Sequence, residues 1–396
     1  MSESQHRLLK AILALTTASS SFAIQVFLPA LPAVQRHFAV SAADVQLAVS
    51  LPLLAMAVGT LFWGVLSDRF GRRPMMLAGL AMFLIGNLAC VVAPSIAILV
   101  AGRLFQGFGG AACVVISRAI VRDLYGREKS AAVMASLIAV MVLAPMMAPI
   151  VGGFLVDTVG WRGNFVLIAA FVAAVLAFSA ARLSETNAKP QALPSAFSLV
   201  AGYGRLLRAP DFMAYALQSA FMVATFYVFL SAAPYAIITV MRYSATEYGL
   251  GFILSTIGYL GGNLAANRYS ERCGVDRMIW ISLGLASGST LAIFALLQAG
   301  YWTIWAVFLP VTFMGVANGM SLPNANAGAV SVYPELAGTA SGLLSFIQLS
   351  VAAVFAQIAG SIQDGTPHTL GLFLFIAAAL ATVSFYAPRR LFGSAG

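Results

Sequence analysis

Long apolar runs alternate with short polar connections along nearly the whole chain. Each run is about twenty residues or longer, which is the length that an α-helix needs to cross the hydrocarbon of a bilayer. The pattern predicts an all-α polytopic membrane protein with twelve transmembrane helices. The predicted spans lie near residues 9–33, 45–67, 74–93, 97–121, 131–156, 163–182, 212–238, 247–267, 277–298, 302–325, 337–360 and 368–388.

The longest polar segment, residues 183–211, separates the sixth predicted span from the seventh. It predicts an N-terminal six-helix bundle at 1–182, a cytoplasmic linker at 183–211 and a C-terminal six-helix bundle at 212–396. Two bundles of this kind are expected to be pseudo-symmetric and to enclose a central cavity.

An internal repeat supports this division. With a shift of 199 positions, Asn267 takes the place of Asp68, and Arg268 matches Arg69. A degraded copy at half the chain length indicates duplication of one six-span unit.

Composition excludes an ordinary soluble protein. The chain is 61% hydrophobic and 9% charged, whereas soluble domains have about 25% charged residues. The net charge of +9 lies in the connections between spans and not in a basic domain, so a nucleic-acid partner is not expected. The positive-inside rule accounts for the same charge.

The rule also orients the chain. If the N-terminus is cytoplasmic, seventeen lysines and arginines face the cytoplasm, and only Arg36, Arg162 and Arg242 face outward. The sequence therefore predicts that both termini are cytoplasmic.

The connection between the second and third predicted spans reads Gly64-Val-Leu-Ser-Asp-Arg-Phe-Gly-Arg-Arg-Pro74. Its acid and its three arginines require a water-facing end. Gly71 permits a sharp turn, and Asp68 can accept hydrogen bonds at a helix N-terminus and pair with an arginine. A generic positively charged loop is the alternative interpretation, but it needs no particular order of glycine, aspartate and arginine.

This stretch resembles the signature loop of the major facilitator superfamily, G-x-x-x-D-R-x-G-R-R. The matching residues are Gly64, Asp68, Arg69, Gly71, Arg72 and Arg73. The resemblance implies the major facilitator fold and a gating role for these residues with Arg122 and Asp123. It implies in particular a charge cluster of Asp68, Arg72 and Asp123; if Arg122 and Asp123 only flank a span, Asp123 needs no special role.

The fourth and fifth predicted spans carry two further motifs. Arg103, Gln106 and the glycine that follows resemble the fourth-span motif of drug–proton antiporters, R-x-x-Q-G. The alternative places Arg103 near the outer interface, where its side chain reaches water. The fifth span resembles the antiporter motif G-P-x-x-G-G, with Ala148 where the pattern has glycine; a packing kink is the alternative. The residues of this motif are Pro145, Pro149, Gly152 and Gly153.

Taken over the whole chain, these motifs resemble the Bcr/CflA group of multidrug exporters. The resemblance implies a bacterial inner-membrane protein, acting as a monomer, that exports small lipophilic compounds by alternating access and proton antiport. No acid lies in the middle of a predicted span, so we expect neutral or zwitterionic substrates to be preferred over permanent cations. The candidate cavity residues are Gln25, Arg103, Gln106, Gln218, Phe226, Tyr227 and Gln348.

Gln25 stands where members of that group commonly carry an aspartate, and a glutamine cannot bind and release a proton near neutral pH. We expect proton antiport, if present, to run through Asp123 and Asp68 as an inner gate separates them from Arg72. The rival expectation is a weakly coupled or uncoupled carrier.

Other functions remain as alternatives. A transporter of a polar nutrient or metabolite, such as a sugar, uses the same span pattern. A membrane enzyme or receptor is disfavoured, because the three histidines lie at span termini or outside spans and no catalytic group appears. The chain contains no phosphate-binding G-x-x-x-x-G-K-[ST] loop, and we expect no metal and no cofactor.

Overall fold

The computed structural model describes the backbone of residues 3–187, 196–362 and 364–392. Within these ranges, the side chains of 3–8, 125–146, 196–200 and 388–392 are not described. The described backbone is helical apart from short turns and connections.

Thirteen α-helices follow one another in the described residues. They are α1 Glu3–Val26, α2 Leu31–Phe38, α3 Ala42–Phe70, α4 Arg72–Val91, α5 Ile96–Thr158, α6 Arg162–Arg182, α7 Ala196–Leu207, α8 Pro210–Pro234, α9 Ala245–Cys273, α10 Val275–Gln298, α11 Ile304–Ser331, α12 Ala337–Ser361 and α13 His368–Phe392. Single turns of 3₁₀-helix at Leu28–Ala30 and Pro334–Leu336 precede α2 and α12, and a π-helical turn at Tyr235–Val240 follows α8.

Eleven stretches among the described residues are long and apolar enough to cross a membrane. The first, Leu9–Phe38, combines α1 and α2; Pro29 lies in the turn between them, and Pro32 lies in the first turn of α2. The protein is therefore a multi-pass membrane protein.

The predicted spans 97–121 and 131–156 fall within one continuous helical element. One helical element, α5, runs from Ile96 to Thr158. Its polar middle contains no proline, and Arg, Glu and Lys are good helix formers, so the helix continues where the sequence predicts a loop. Within α5, Ile96–Leu124 is long enough to span a membrane, and Met147–Thr158 is a shorter apolar helix.

The predicted linker also contains a helix that the hydrophobic pattern did not indicate. Helix α7 covers Ala196–Leu207, and its Leu206 is fully buried. The polar residues on either side of this apolar helix lower the average hydropathy of residues 183–211, and twelve residues are too few to span a membrane, so the pattern of long apolar runs did not indicate it.

The chain divides into two compact units. Unit 1 comprises Met1–Val40 and Leu47–Pro194, and unit 2 comprises Ser41–Gln46 and Ser195–Gly396. The core of unit 1 is built from buried residues that include Leu80, Phe83, Ile116, Ile168 and Val172.

Two apolar clusters lie among the described residues around α8 in unit 2. One contains Met222, Leu283 and Phe385, and the other contains Phe212 and Leu344. The second cluster joins the end of α7 to α8 and α12, so α7 is held to unit 2 by burial of apolar side chains.

The internal repeat has a shift of 203 positions, not the 199 expected from the arginines. Helices α3 and α9 both have 29 residues, and each begins with a capping box. In α3 the Ser41 hydroxyl accepts from the Asp44 N–H at 3.2 Å. In α9, 203 positions later, the Ser244 hydroxyl accepts from the Glu247 N–H at 3.1 Å.

Glycines at the far ends of both helices give the same register. Gly71 has φ 100° and ψ 151°, and Gly274 has φ 82° and ψ 151°. The corrected register pairs Asp68 with Glu271. The shift of 199 is wrong because it rests on arginine matches, whereas the turn conformation is fixed by the glycines.

Candidate functional site

The first candidate site lies where α3 ends and α4 begins. Gly71 joins the two helices in a backbone conformation that is almost restricted to glycine, so the α4 N-terminus lies directly beside the last turn of α3. Arg72 is the first residue of α4 and is 4% exposed. A buried arginine needs several acceptors, and the surrounding side chains provide them.

Arg72 lies between two aspartates. Its guanidinium is 2.6 Å from the Asp68 carboxylate, one turn back along the chain, and its Nε donates to Asp123 Oδ2 at 2.8 Å. It also donates to the Ser67 hydroxyl at 2.7 Å. Arg72 therefore links α3, α4 and α5, and removal of its charge leaves two carboxylates without their shared counter-ion.

Glu185 provides the cap at the α4 N-terminus. Its carboxylate accepts from the backbone N–H of Arg72 at 2.9 Å and from that of Arg73 at 3.1 Å. Within unit 1 this role belongs to Glu185 and not to Asp68. The sequence did not predict Glu185 as a site residue; its only signal is that it is the single acid between Asp157 and Asp211.

Asn187 caps the other helix end in the same turn. Its amide donates to the Asp68 carbonyl at 2.8 Å, so the segment after α6 covers both the C-terminus of α3 and the N-terminus of α4. Arg73 donates to the Ala180 carbonyl near the end of α6 at 3.0 Å. We call the five residues Asp68, Arg72, Asp123, Glu185 and Asn187 the Arg72 cluster.

The ionisation of Glu185 depends on these contacts. Burial by itself would raise the pKa of Glu185, but hydrogen bonds from the backbone N–H groups of Asn187, Arg72, Arg73 and Thr186 outweigh it and lower the pKa below that of an ordinary glutamate. A carboxyl group whose pKa is lower in the folded state stabilises that state above its unfolded pKa. This stabilisation is lost as the pH falls through the folded pKa.

The Glu185→Gln variant is expected to lower the Tm at pH 7 by about 2–4 °C, since a charged cap contributes about 1 kcal/mol. The difference between variant and native protein is expected to shrink as the pH falls through the lowered pKa of the native Glu185 carboxyl. Thermal unfolding in detergent over pH 4–7 measures it. Glu271→Gln, at the equivalent turn of unit 2, is the matched control; an equal effect there, or a difference constant with pH, contradicts the capping role.

The second candidate site surrounds Arg103, which is fully buried in unit 1. Its Nε donates to the Ala48 carbonyl at 2.9 Å. Pro52 lies inside α3 and has no N–H, so the Ala48 carbonyl lacks its donor four residues on. Arg103 therefore satisfies a carbonyl that the proline leaves free.

A second helix break supplies another acceptor. Helix α1 ends at Val26, so the Ala23 carbonyl is among the last four of the helix, which have no intrahelical donor. Arg103 Nη1 donates to this carbonyl at 3.4 Å. The guanidinium also lies over the Phe27 ring, with its carbon 4.6 Å from the ring centre.

Side chains complete the site. Arg103 Nη1 donates to Gln106, whose amide donates to Asn87 Oδ1 at 2.7 Å. Arg103 Nη2 is buried and has no hydrogen-bond partner in the part of the chain that the structure describes. Among the described contacts of Arg103 there is no carboxylate, so a fixed positive charge is held by carbonyl dipoles, an amide and an aromatic ring.

The antiporter-like motif of α5 contacts the same break in α1. Pro149, Gly152 and Gly153 are buried, and a Cβ on Gly152 would overlap the Val26 carbonyl oxygen. Asn164 donates to this oxygen at 2.9 Å. Pro145 belongs to α5, but its side chain lies outside the described residues.

The candidate residues of unit 2 form polar pairs within that unit. Gln218 is fully buried and donates to the Ser321 hydroxyl at 2.6 Å. Gln348 donates to the Ser219 hydroxyl at 3.0 Å and to Asn326 at 3.1 Å.

The remaining candidates are less connected. Phe226 and Tyr227 contact each other edge to face, with ring centres 5.7 Å apart. Gln25 is 7% exposed, and no hydrogen bond of its amide is found among the described residues. Arg69 and Arg122 are exposed, and Gly64 packs against Val115.

A model of the Major Facilitator Superfamily matches residues 13–357. The chain belongs to this superfamily. The resemblance carried by Gly64–Pro74 is thereby confirmed. Major Facilitator Superfamily proteins are transporters and not enzymes, which agrees with the exclusion of an enzyme from the sequence.

Two curated relatives in the superfamily illustrate the similarity. A bicyclomycin resistance protein homolog of Haemophilus influenzae is 28% identical over 370 residues, covering 92% of both chains. Multidrug resistance protein D of Escherichia coli is 28% identical over 364 residues, covering 92% of this chain and 91% of the relative. These names are consistent with the Bcr/CflA group.

Solved Major Facilitator Superfamily structures share the fold. A bacterial homolog of the human lysosomal transporter Spinster, in an inward-facing and occupied conformation, matches with a TM-score of 0.77 and 16% identity, covering 97% of both chains. A D-xylose–proton symporter matches with a TM-score of 0.76 and 15% identity, covering 94% of this chain and 96% of the other. At these identities the match shows the fold alone.

Proposed function

We propose that this protein is a secondary exporter of small lipophilic compounds in a bacterial inner membrane. It acts as a monomer with both termini in the cytoplasm and alternates between inward-facing and outward-facing states. The proposal rests mainly on the Arg103 site, where a fully buried cation is held without a described carboxylate contact. The resistance proteins among its relatives support the direction and the substrate class.

Twelve spans are proposed because α5 cannot be one straight helix. A Cβ on Gly110 would meet Ser20 of α1, and one on Gly152 would meet Val26, also of α1. A straight helix would place these two glycines about 63 Å apart, at 1.5 Å per residue. Ser20 and Val26 are only about 9 Å apart on the same measure. The chain therefore reverses within α5, and its two ends cross the membrane as separate spans.

The Arg103 site supports a preference for neutral or zwitterionic substrates over permanent cations. Arginine keeps its proton at any physiological pH, and a charge in a low-dielectric region acts over several ångströms. A permanent cation that approached unit 1 near Arg103 would be repelled by a positive charge that no described carboxylate neutralises. Neutral or zwitterionic amphiphiles avoid this cost, and carbonyl or carboxylate oxygens suit the donor at Arg103 Nη2.

The Arg72 cluster is proposed as the cytoplasmic gate, together with Gly64, Arg69, Arg73 and Arg122 around it. Arg72 holds two carboxylates from different helices, so movement of α5 relative to α3 exchanges one ion pair for water. Such an exchange leaves one carboxylate without its counter-ion. We therefore assign proton antiport to Asp123 and Asp68.

Reconstituted vesicles that contain a pH-sensitive dye test export and coupling together. Addition of a neutral phenicol-type antibiotic to native protein is expected to move protons against the drug, and a quaternary ammonium dye to give little signal. The Asp123→Asn variant is expected to lose the proton signal while downhill drug exchange continues.

Asp157→Asn, an acid at the other end of α5, is the matched control and is expected to retain the signal. A native protein without any drug-linked proton signal refutes coupling. Signal that survives both Asp123→Asn and Asp68→Asn refutes the assignment of the proton site.

The alternative is a transporter of a polar nutrient or metabolite. Its support is the shared fold with a D-xylose–proton symporter, at 15% identity. Transport of radiolabelled D-xylose in the same vesicles, without transport of the antibiotic, would decide for it.

A further inference from the structure

Unit 2 contains a cavity that the transport proposal does not use. It has a volume of about 570 Å³. It is lined by Ala201 and Gly204 of α7, by Arg205 and Arg208, and by Tyr333 after α11. The small residues leave room beside two guanidinium groups, so the cavity combines space with positive charge.

Arg205 forms an exposed ion pair with Glu335, which an incoming anion can replace. Arg205 Nη2 is 3.0 Å from Glu335 Oε1, and both side chains are more than half exposed, at 54% and 55%. Its guanidinium also lies 4.2 Å from the centre of the Tyr333 ring. Exposed ion pairs of this kind contribute only about 0–1 kcal/mol, so an incoming anion can compete for Arg205.

Arg208 supplies the unbalanced charge. It is exposed, and no carboxylate contact of its side chain is found in the described ranges. With Arg205 and Glu335 cancelling, the cavity therefore carries about one net positive charge at neutral pH.

The position of the cavity points to the membrane surface. Helix α7 is fixed by the buried Leu206, and α8 begins directly after it at Pro210. Leu207, between the arginines, is 48% exposed and presents an apolar surface beside the cavity. Tyr333 also lines the cavity, and tyrosine is typical of the interface between headgroups and hydrocarbon.

We propose that this cavity binds the phosphate of an anionic phospholipid. Arg208 and Arg205 donate to the phosphate oxygens, and the acyl chains pass the exposed Leu207. Arginine forks match phosphate geometry, and basic pockets beside transmembrane helices on the cytoplasmic side bind anionic headgroups. The side of the membrane follows from the proposed topology, whereas binding itself does not depend on transport.

Two variants test the cavity in different ways. Arg208→Gln removes the unbalanced charge. Gly204→Leu fills the space without a change of charge, because a Cβ at Gly204 has nothing within 4 Å, and leucine is a good helix former. Arg277→Gln, an exposed arginine at the start of α10, is the matched control for charge.

The measurement is retention of phosphatidylglycerol by purified protein, read by native mass spectrometry after release from nanodiscs that mix phosphatidylglycerol and phosphatidylcholine. Native protein and Arg277→Gln are expected to retain phosphatidylglycerol selectively. Arg208→Gln is expected to reduce retention about fivefold, the effect of one basic residue near a membrane surface. Gly204→Leu is also expected to reduce retention, because its side chain occupies the space that the headgroup needs.

Equal losses in Arg277→Gln and Arg208→Gln would mean that general surface charge attracts the lipid, which overturns the proposal. Unchanged retention in Gly204→Leu excludes the cavity as the site. Millimolar inorganic phosphate is expected to leave the lipid bound; displacement by it would assign the cavity to a soluble anion. Because no transport is measured, these outcomes are independent of the exporter proposal.

Discussion

The Arg103→Gln variant is expected to transport neutral drugs at a rate roughly tenfold lower than the native protein, while it remains inserted and folded. Glutamine cannot reach both the Ala48 and Ala23 carbonyls and also hold Gln106, so two helix breaks lose their donor at the same time. Each buried acceptor that is left unsatisfied costs about 1–3 kcal/mol. Drug uptake into inverted vesicles measures the loss.

The same variant tests the charge argument. Removal of the fixed cation is expected to raise transport of a quaternary ammonium dye relative to that of neutral drugs. Arg118→Gln, an exposed arginine on the same helix, is the matched control and is expected to change neither value. If the transport rates of the dye and of the neutral drugs fall equally in Arg103→Gln, the residue only supports packing and does not select substrates by charge.

The Gly71→Ala variant is expected to be the most destabilising single methyl addition at the helix ends. Its φ of 100° requires glycine, and the added Cβ would lie 2.5 Å from Glu185 Oε2. Backbone strain of this kind costs about 1–3 kcal/mol, and displacement of the Glu185 cap adds about 1 kcal/mol. Thermal unfolding in detergent measures the sum.

Gly274→Ala is the natural control, because its φ of 82° imposes the same strain and its Cβ would have nothing within 4 Å. The difference between the two variants therefore reports the cap alone. In a background of Glu185→Gln the difference is expected to vanish. Equal unfolding temperatures for the two alanine variants in the native background would exclude a contribution from Glu185.

The sequence predicts what is local. Glycine, aspartate and arginine in fixed order between two apolar runs indicate the turn at Gly71 and the contact between Asp68 and Arg72, since these two residues flank the same turn and are four positions apart in the sequence. Hydrophobic runs likewise indicate most spans, because length and apolarity are properties of each segment alone.

Contacts between distant segments could not be predicted in this way. Glu185 caps α4 from 113 positions away, and no spacing rule connects them. The acceptors of Arg103 are backbone carbonyls, which every residue has, so only the broken helices around Pro52 and Val26 reveal which ones are free. The repeat register failed for a similar reason: identical arginines are common in such connections, whereas the shared turn geometry is visible only in the backbone.

The charge of Arg103 has an electrical consequence. It lies within the apolar stretch Ile96–Leu124, and none of its described contacts is with an acid. A charge inside the bilayer experiences the transmembrane voltage, which acts on one elementary charge with about 2.3 kcal/mol per 100 mV for a full crossing. If the alternation between states moves Arg103 by even a tenth of the membrane thickness, voltage changes the balance of the states by about 0.2 kcal/mol. With such a movement, the resting potential of the cell would bias unit 1 whether or not protons accompany the drug.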